Sequence, residues 1–143
     1  IKLGAKINAF DIVPDKEWAD LNSVQYLPFK QLLSSADIIS LHASPGSDQL
    51  PLIGKEEIKV MKQGVVLINT SRGECVDEKA LCEGLASGKV SAAGMDVFPE
   101  EPYTGKLIEF DNVVLTPHLA TLTKESRLEM EIQATQNLLD ELN

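Results

Sequence analysis

Short continuous apolar runs alternate along this chain with stretches in which apolar residues recur at helical spacing. Val65-Val66-Leu67-Ile68 is one such run and reads as a strand buried on both faces, as in a parallel sheet. It ends in Asn69-Thr70-Ser71-Arg72-Gly73, a small polar turn carrying one large cation. Asp77 then caps a predicted helix with apolar positions Ala80, Leu81 and Leu85, ending near Gly88. Upstream, Gly4 to Asp11 reads as a helix end with its glycine followed by a short alternating strand that stops at Asp11. Val13-Pro14-Asp15 turns the chain into a short helical or irregular piece around Trp18. A short strand near Val24-Gln25-Tyr26 follows, then a helical turn from Pro28 to Leu33, with proline in its preferred place near the start. Asp37 to Leu41 is the next buried strand, and His42-Ala43-Ser44-Pro45-Gly46 is its exit loop.

A helix from about Gly54 to Met61 leads into the strand at Val65. Downstream, Val90 to Val97 is a strand of small residues, which can pack closely against helices. Pro99 and Pro102 force an irregular loop that holds Glu100 and Glu101. Asn112 to Leu115 is the last strand, with Thr116-Pro117-His118 as its exit. Thr121 or Thr123 caps a long closing helix with apolar positions Leu128, Ile132, Leu138, Leu139 and Leu142. Strands alternate with helices and no hairpin signals intervene. The prediction is an α/β fold, a doubly wound parallel sheet with helices on both faces. No internal repeat, low-complexity tract or interdomain linker interrupts the pattern.

Composition narrows the picture. The 143 residues suffice for one domain, and 43% hydrophobic content with few aromatics is ordinary for a globular α/β protein. A net charge of −9 argues against nucleic acid or an anionic membrane surface as partner. Apolar runs of about five residues are too short to span a bilayer, and no signal segment opens the chain. Cys75 and Cys82, seven apart on one predicted helix face, read as reduced thiols of a cytosolic protein. The chain begins at Ile1 without an initiating Met and reads as a piece of something longer.

In a parallel sheet with right-handed crossovers, every strand's carboxyl end lies on one edge, and ligands bind there. The unusual polar residues Asp11, His42, Arg72, Asp96, Glu101 and His118 all fall at or just past predicted strand ends. Arg72 can grip a carboxylate through two parallel hydrogen bonds; the alternative is a surface charge in a βα loop. Asp11 sits where a ribose would lie, and its carboxylate favours NAD over NADP; the alternative is a turn Asp ahead of Pro14. His118 is suited to trade a proton with an alcohol or ketone, or is a structural histidine. Glu101, if it meets His118, holds the ring in one tautomer and favours imidazolium; otherwise it is a solvated carboxylate, as Glu100 is. Together these four make a hydride-transfer site. Two histidines and no clustered cysteines argue against a catalytic metal.

INTSRGECVDEKAL, AAGMDVFPEEP and NVVLTPHLA, in this order and spacing, closely resemble the signatures of the D-isomer-specific 2-hydroxyacid dehydrogenases. ADIISLHASP and LGAKINAFD resemble that family's motif before the cofactor cleft and its ribose-binding strand. The resemblance covers almost the whole chain. It implies a Rossmann-like NAD-binding domain in which Arg72 binds the substrate carboxylate and carbonyl, His118 is the acid/base, and Glu101 pairs with His118. It further implies that Asp11 holds the adenosine ribose and that Asp96 lies near the nicotinamide carboxamide. His42, Ala43, Thr70 and Ser71 would line the cofactor cleft, largely through backbone groups. The implied reaction interconverts a 2-oxo acid plus NADH with a D-2-hydroxy acid plus NAD. The 3-phosphoglycerate or hydroxypyruvate/glyoxylate branches are preferred, because VFPEEP and LTPHLA look most like them.

The departures are as specific as the matches. The family's GxGxxG strand–turn–helix has no counterpart here, nor has its separate substrate domain, and Leu50 stands where threonine is usual. Residues 1–143 are therefore expected to form a partial NAD-binding domain that lacks a central strand. Hydrogen bonds to charged groups contribute about 1.5–3 kcal/mol each, and a helix N-terminus facing an anion up to about 2 kcal/mol. Losing two or three such contacts is about 4–8 kcal/mol, or roughly three to six powers of ten in affinity, so weak NAD binding is expected of this chain alone. Two functions follow: a catalytic-residue-bearing part of an NAD-dependent dehydrogenase, or a truncated non-catalytic module for binding or dimerisation. The resemblance implies a homodimer, and the expected location is cytoplasmic.

Overall fold

The computed structural model describes residues 4–45 and 51–142. Among the described residues six strands, all parallel to their neighbours, form two sheets. β1 (Asn8–Ala9) pairs with β2 (Gln25–Tyr26). β3 (Ile38–Leu41), β4 (Val65–Asn69), β5 (Val90–Met95) and β6 (Val113–Leu115) form a four-stranded sheet in that order. The α-helices among the described residues are α1 (Lys16–Leu21), α2 (Phe29–Ser35), α3 (Lys55–Val60), α4 (Glu78–Ala86) and α5 (Lys124–Glu141). Helix starts follow their side chains. Asp15, Asp77 and Thr123 each accept a hydrogen bond from a backbone N–H of the first turn, which that turn cannot satisfy internally. Pro28 occupies the N-cap of α2, one residue ahead of its preferred first helical position.

The core lies on one face of the larger sheet. Ile39 and Leu41, Val65 and Leu67, and Ala93 and Met95 alternate inward along their strands. They pack with Leu33 of α2, Ile58 of α3, and Leu81 and Leu85 of α4. Val90 meets Gly84 on α4 closely enough that a Cβ there would lie 3.0 Å from the Val90 side chain. The opposite face is different. Ile38, paired in register with Val66, is 63% exposed, and Val114, paired with Gly94, is 68% exposed.

Helices on both faces were expected. Among the described residues α2, α3 and α4 all cover one face, and α5 buries none of its own side chains. That is why Val66 and Ile68 are only half-buried, although their run reads as a strand covered on both sides. Cys75 sits in a 3-10 turn, Gly73–Cys75, ahead of α4 rather than on the helix that carries Cys82; both thiols are buried and free. Gly4 has φ +78°, and the helix that it was expected to end falls outside the described residues. Ile1 to Leu3, Gly46 and Leu50 lie outside the described residues. No helix among the described residues is long and apolar enough to cross a membrane.

Candidate active site

The Arg72 loop is built from the last residue of β4. Asn69 is fully buried, and its amide nitrogen donates to the Arg72 carbonyl at 2.8 Å. Its amide oxygen accepts from the Ser71 N–H at 3.1 Å and the Ser71 hydroxyl at 2.9 Å. One buried amide thus fixes the turn, while Arg72 itself is exposed and donates from Nη1 to the Ser71 carbonyl. Gly73 lets this turn approach the chain after β5: a Cβ there would fall 2.1 Å from the Phe98 carbonyl carbon. No side chain fits in that space.

The loop after β5 brings in the carboxylates. Glu101 Oε1 accepts from the Phe98 N–H at 3.2 Å, and Oε2 lies 3.1 Å from His118 Nδ1. The His118 hydrogen bond, then the one from Phe98, hold the Glu101 carboxyl below the usual carboxylate range. Both partners are substantially exposed, so the pair orients the ring more than it stabilises the fold. His118 has φ +54°, a left-handed conformation that costs a non-glycine residue about 1–3 kcal/mol and persists only where its surroundings over-determine it. Those surroundings are Asp96, one of two buried polar side chains among the described residues. Burial works against the Asp96 carboxylate, yet hydrogen bonds from Thr116, Leu119 and Ala120 outweigh it and hold the group below its ordinary range.

Arg72, Gly73, Glu74, Val97, Phe98, Pro99, Glu101 and His118 line one open cavity of about 260 Å³. The structure therefore brings together Arg72, Glu101 and His118, with Asp96 directly behind the histidine. It does not bring the remaining expected residues into that cavity. Asp11, past the end of β1, is exposed, and its Oδ1 accepts from the Val13 N–H at 2.8 Å, a local Asx turn. His42, past β3, is exposed, with Nε2 2.8 Å from the Ser40 hydroxyl. The Ala43 carbonyl accepts from the Cys75 thiol at 3.3 Å, which ties the exit loop of β3 to that of β4. Thr70 is exposed and Ser71 half-buried on the same sheet edge. Among the described residues no cluster of His, Cys, Asp and Glu could hold a metal ion. The sequence reading missed Asn69, Thr116 and the close approach at Gly73. A polar residue closing an apolar run was the available signal for Asn69. Nothing in the sequence signalled the loop crossing that demands Gly73.

A parallel sheet whose exit loops converge on one edge defines a nucleotide-binding α/β domain of Rossmann type. Residues 2–120 match the family described as D-isomer specific 2-hydroxyacid dehydrogenase, NAD binding domain, and the chain belongs to that family. NAD is the cofactor that the family description gives. The residues present fit it: Asp11 keeps Oδ2 without a protein partner among the described residues, and the exit loops of β3 and β4 are braced side by side. A hydroxypyruvate reductase of Thermotoga maritima is 41% identical over 99% of this chain and 47% of its own length. A D-3-phosphoglycerate dehydrogenase of Archaeoglobus fulgidus is 37% identical over 96% of this chain and 27% of its own. The crystal structure of the NAD-complexed D-isomer specific 2-hydroxyacid dehydrogenase from Lactobacillus delbrueckii ssp. bulgaricus superposes with a TM-score of 0.83 at 33% identity, covering 99% of this chain and 48% of that one. The chain thus spans less than half the length of these relatives.

Proposed function

We propose that this chain is the catalytic-residue-bearing part of an NAD-dependent D-2-hydroxyacid dehydrogenase. The observation that carries the reading is one shared cavity lined by Arg72, Glu101 and His118, with Glu101 3.1 Å from the histidine ring. Arg72 holds the substrate carboxylate with parallel N–H donors. NAD, when bound, supplies or accepts the hydride. His118 gives its Nε2 proton to the oxygen that becomes the hydroxyl in reduction and takes it back in oxidation, while Glu101 at Nδ1 keeps the ring oriented. Imidazolium paired with Glu101 suits reduction; neutral imidazole suits oxidation. Asp11 would hold the adenosine ribose, and His42, Ala43, Thr70 and Ser71 would line the nucleotide side.

Among 2-oxo acids the lining favours small, unphosphorylated ones of the hydroxypyruvate or glyoxylate type. Arg72 is the one permanent cation among the described lining residues, and Glu74 and Glu101 stand beside it. One carboxylate is matched; a second anionic group would face Glu74. The test is NADH oxidation by the natural polypeptide carrying this sequence, with glyoxylate, hydroxypyruvate and phosphohydroxypyruvate in parallel. Higher kcat/KM on the unphosphorylated acids, lost in Arg72→Ala, supports the reading, and no turnover with any 2-oxo acid overturns it.

The reading includes a partial NAD-binding domain, a homodimer and a cytoplasmic location. Exposed Leu128, Ile132 and Leu138 along α5, and Leu142 at its C-cap, favour an assembled state, which sedimentation of the natural polypeptide measures. The same exposed helix favours a second reading, a non-catalytic binding or dimerisation module. Turnover that depends on His118 excludes it.

A further inference from the structure

We propose that Glu74 is a specificity-determining residue: it accepts a hydrogen bond from the C3 hydroxyl of a 3-hydroxy-2-oxo acid and so selects hydroxypyruvate over the same acid without that hydroxyl. The inference deepens the proposed dehydrogenase reading and rests on it. Four charged or titratable side chains line the cavity, and the reaction uses three of them, Arg72, Glu101 and His118. Glu101 has both oxygens engaged, Oε1 by the Phe98 N–H and Oε2 by His118 Nδ1. Arg72 makes no ion pair among the described residues. Its Nη1 donates to the Ser71 carbonyl, and its other N–H groups are left for a carboxylate. Glu74 is the fourth. It is exposed and makes no side-chain hydrogen bond or ion pair among the described residues.

The turn holds Glu74 beside the carboxylate grip. Glu74 is the middle residue of the 3-10 turn Gly73–Cys75, and both of its neighbours are buried. Gly73 is pressed against the backbone of Phe98, and the Cys75 N–H donates to the Arg72 carbonyl at 3.1 Å. The backbone on either side of Glu74 is therefore fixed, while Glu74 itself stands exposed at the cavity. A three-carbon 2-oxo acid with its carboxylate on Arg72 and its oxo oxygen at His118 has one further group to place, the substituent on C3. Val97, Phe98 and Pro99 have no side-chain group that could hydrogen-bond it. Glu74 has, and an ionised carboxylate only accepts. A C3 hydroxyl donates to it in a charge-assisted bond, stronger than one between neutral groups. A C3 methyl offers it nothing and displaces its water, and a phosphate ester brings it a like charge.

The test measures kcat/KM for hydroxypyruvate and for pyruvate at saturating NADH, in the natural polypeptide and in its Glu74→Ala and Glu74→Gln forms. The two acids differ in the C3 hydroxyl alone, so the ratio of their kcat/KM values cancels any general loss of active enzyme. Glu74→Ala should lower the hydroxypyruvate-to-pyruvate ratio by about tenfold, the scale of one hydrogen bond to a charged group. Most of the change should appear in KM for hydroxypyruvate, because a tail contact made equally in ground and transition states alters binding more than turnover. Glu74→Gln keeps an acceptor without the charge and should lower the ratio by about threefold. It decides the matter if Glu74→Ala does not fold. A ratio that stays at the parent value in the folded variants overturns the role of Glu74 and leaves the dehydrogenase reading standing. No turnover of either acid by the parent overturns that reading, and the inference with it.

Discussion

The two halves of the candidate site are held in very different ways. On the side of β4, β5 and β6, Arg72, Glu101 and His118 each have a named support: Asn69 under the Arg72 turn, Phe98 and His118 on Glu101, Asp96 under the His118 turn. On the side of β1 and β3, Asp11 and His42 are exposed, and among the described residues each makes a side-chain hydrogen bond only within two residues of itself. β1 and β2 form a separate sheet, joined to the rest through contacts such as the Phe10–Phe29 ring pair at 5.1 Å. Proton transfer and carboxylate binding need sub-ångström placement, and misplacing a reacting group by about 1 Å can cost roughly 10²-fold. A ribose hydroxyl needs only an accessible acceptor. In the proposed reading the rigid half holds the reacting groups and the open half holds the nucleotide.

Substitutions can break this contrast, and the largest effects belong in the rigid half. In the proposed reading Arg72→Ala removes two charge-assisted hydrogen bonds to the substrate carboxylate, of about 1.5–3 kcal/mol each, so kcat/KM should fall by about 10²–10⁴-fold. Arg72→Lys should recover little, because a point charge lacks the fork. Gly73→Ala comes next. With 2.1 Å available to the new Cβ, the turn must move away from Phe98. A stability loss of about 1–3 kcal/mol in thermal melts and an activity loss of about 10²-fold are expected.

A pH experiment sharpens the same half. Asp96 and Glu101 both have carboxyl pKa values lowered by their hydrogen bonds. A lowered carboxylate pKa contributes stability that is fully present above the ordinary carboxylate range and is lost as pH falls through the lowered value. Melting temperature should therefore be flat from neutrality down to that range and drop below it. Glu101→Gln should shallow the drop, and an unchanged acid limb would contradict the bonded arrangement. The smallest effect belongs to the open half. Asp11→Ala should weaken NADH binding by about tenfold, as measured by fluorescence titration, while leaving kcat and melting temperature close to the parent values. A comparable loss of kcat would mean that the two halves are not separate.

Much of the rigid half is legible in the sequence because strands and their exits mark themselves. Continuous apolar runs give β3 and β4, and the polar residues that follow them can only be loops on the ligand edge. Asp77 and Thr123 announce their helices by capping chemistry. The meeting of Glu101 and His118 is foreseeable only from the resemblance, since 17 residues and an irregular Pro-rich loop separate them. Periodicity cannot show that Asp96 reaches three residues of another loop, because an aspartate at a strand end looks the same whether it faces solvent or a neighbouring turn. Helix coverage fails for a related reason. The apolar positions of α5 are regular, yet spacing does not say which surface they meet, and here they remain exposed. The Gly73 approach depends on two loops crossing, which no local pattern encodes.

The central claim is that Arg72, Glu101 and His118 form one proton-and-carboxylate site for a 2-oxo acid. The most direct measurement is the single-turnover reduction of hydroxypyruvate by the NADH-loaded natural polypeptide, in parent and His118→Gln forms. The account predicts parental turnover and a loss of about 10²–10⁴-fold in the variant, with NADH binding retained. Equal rates in the two forms, or no NADH oxidation by the parent, would contradict it.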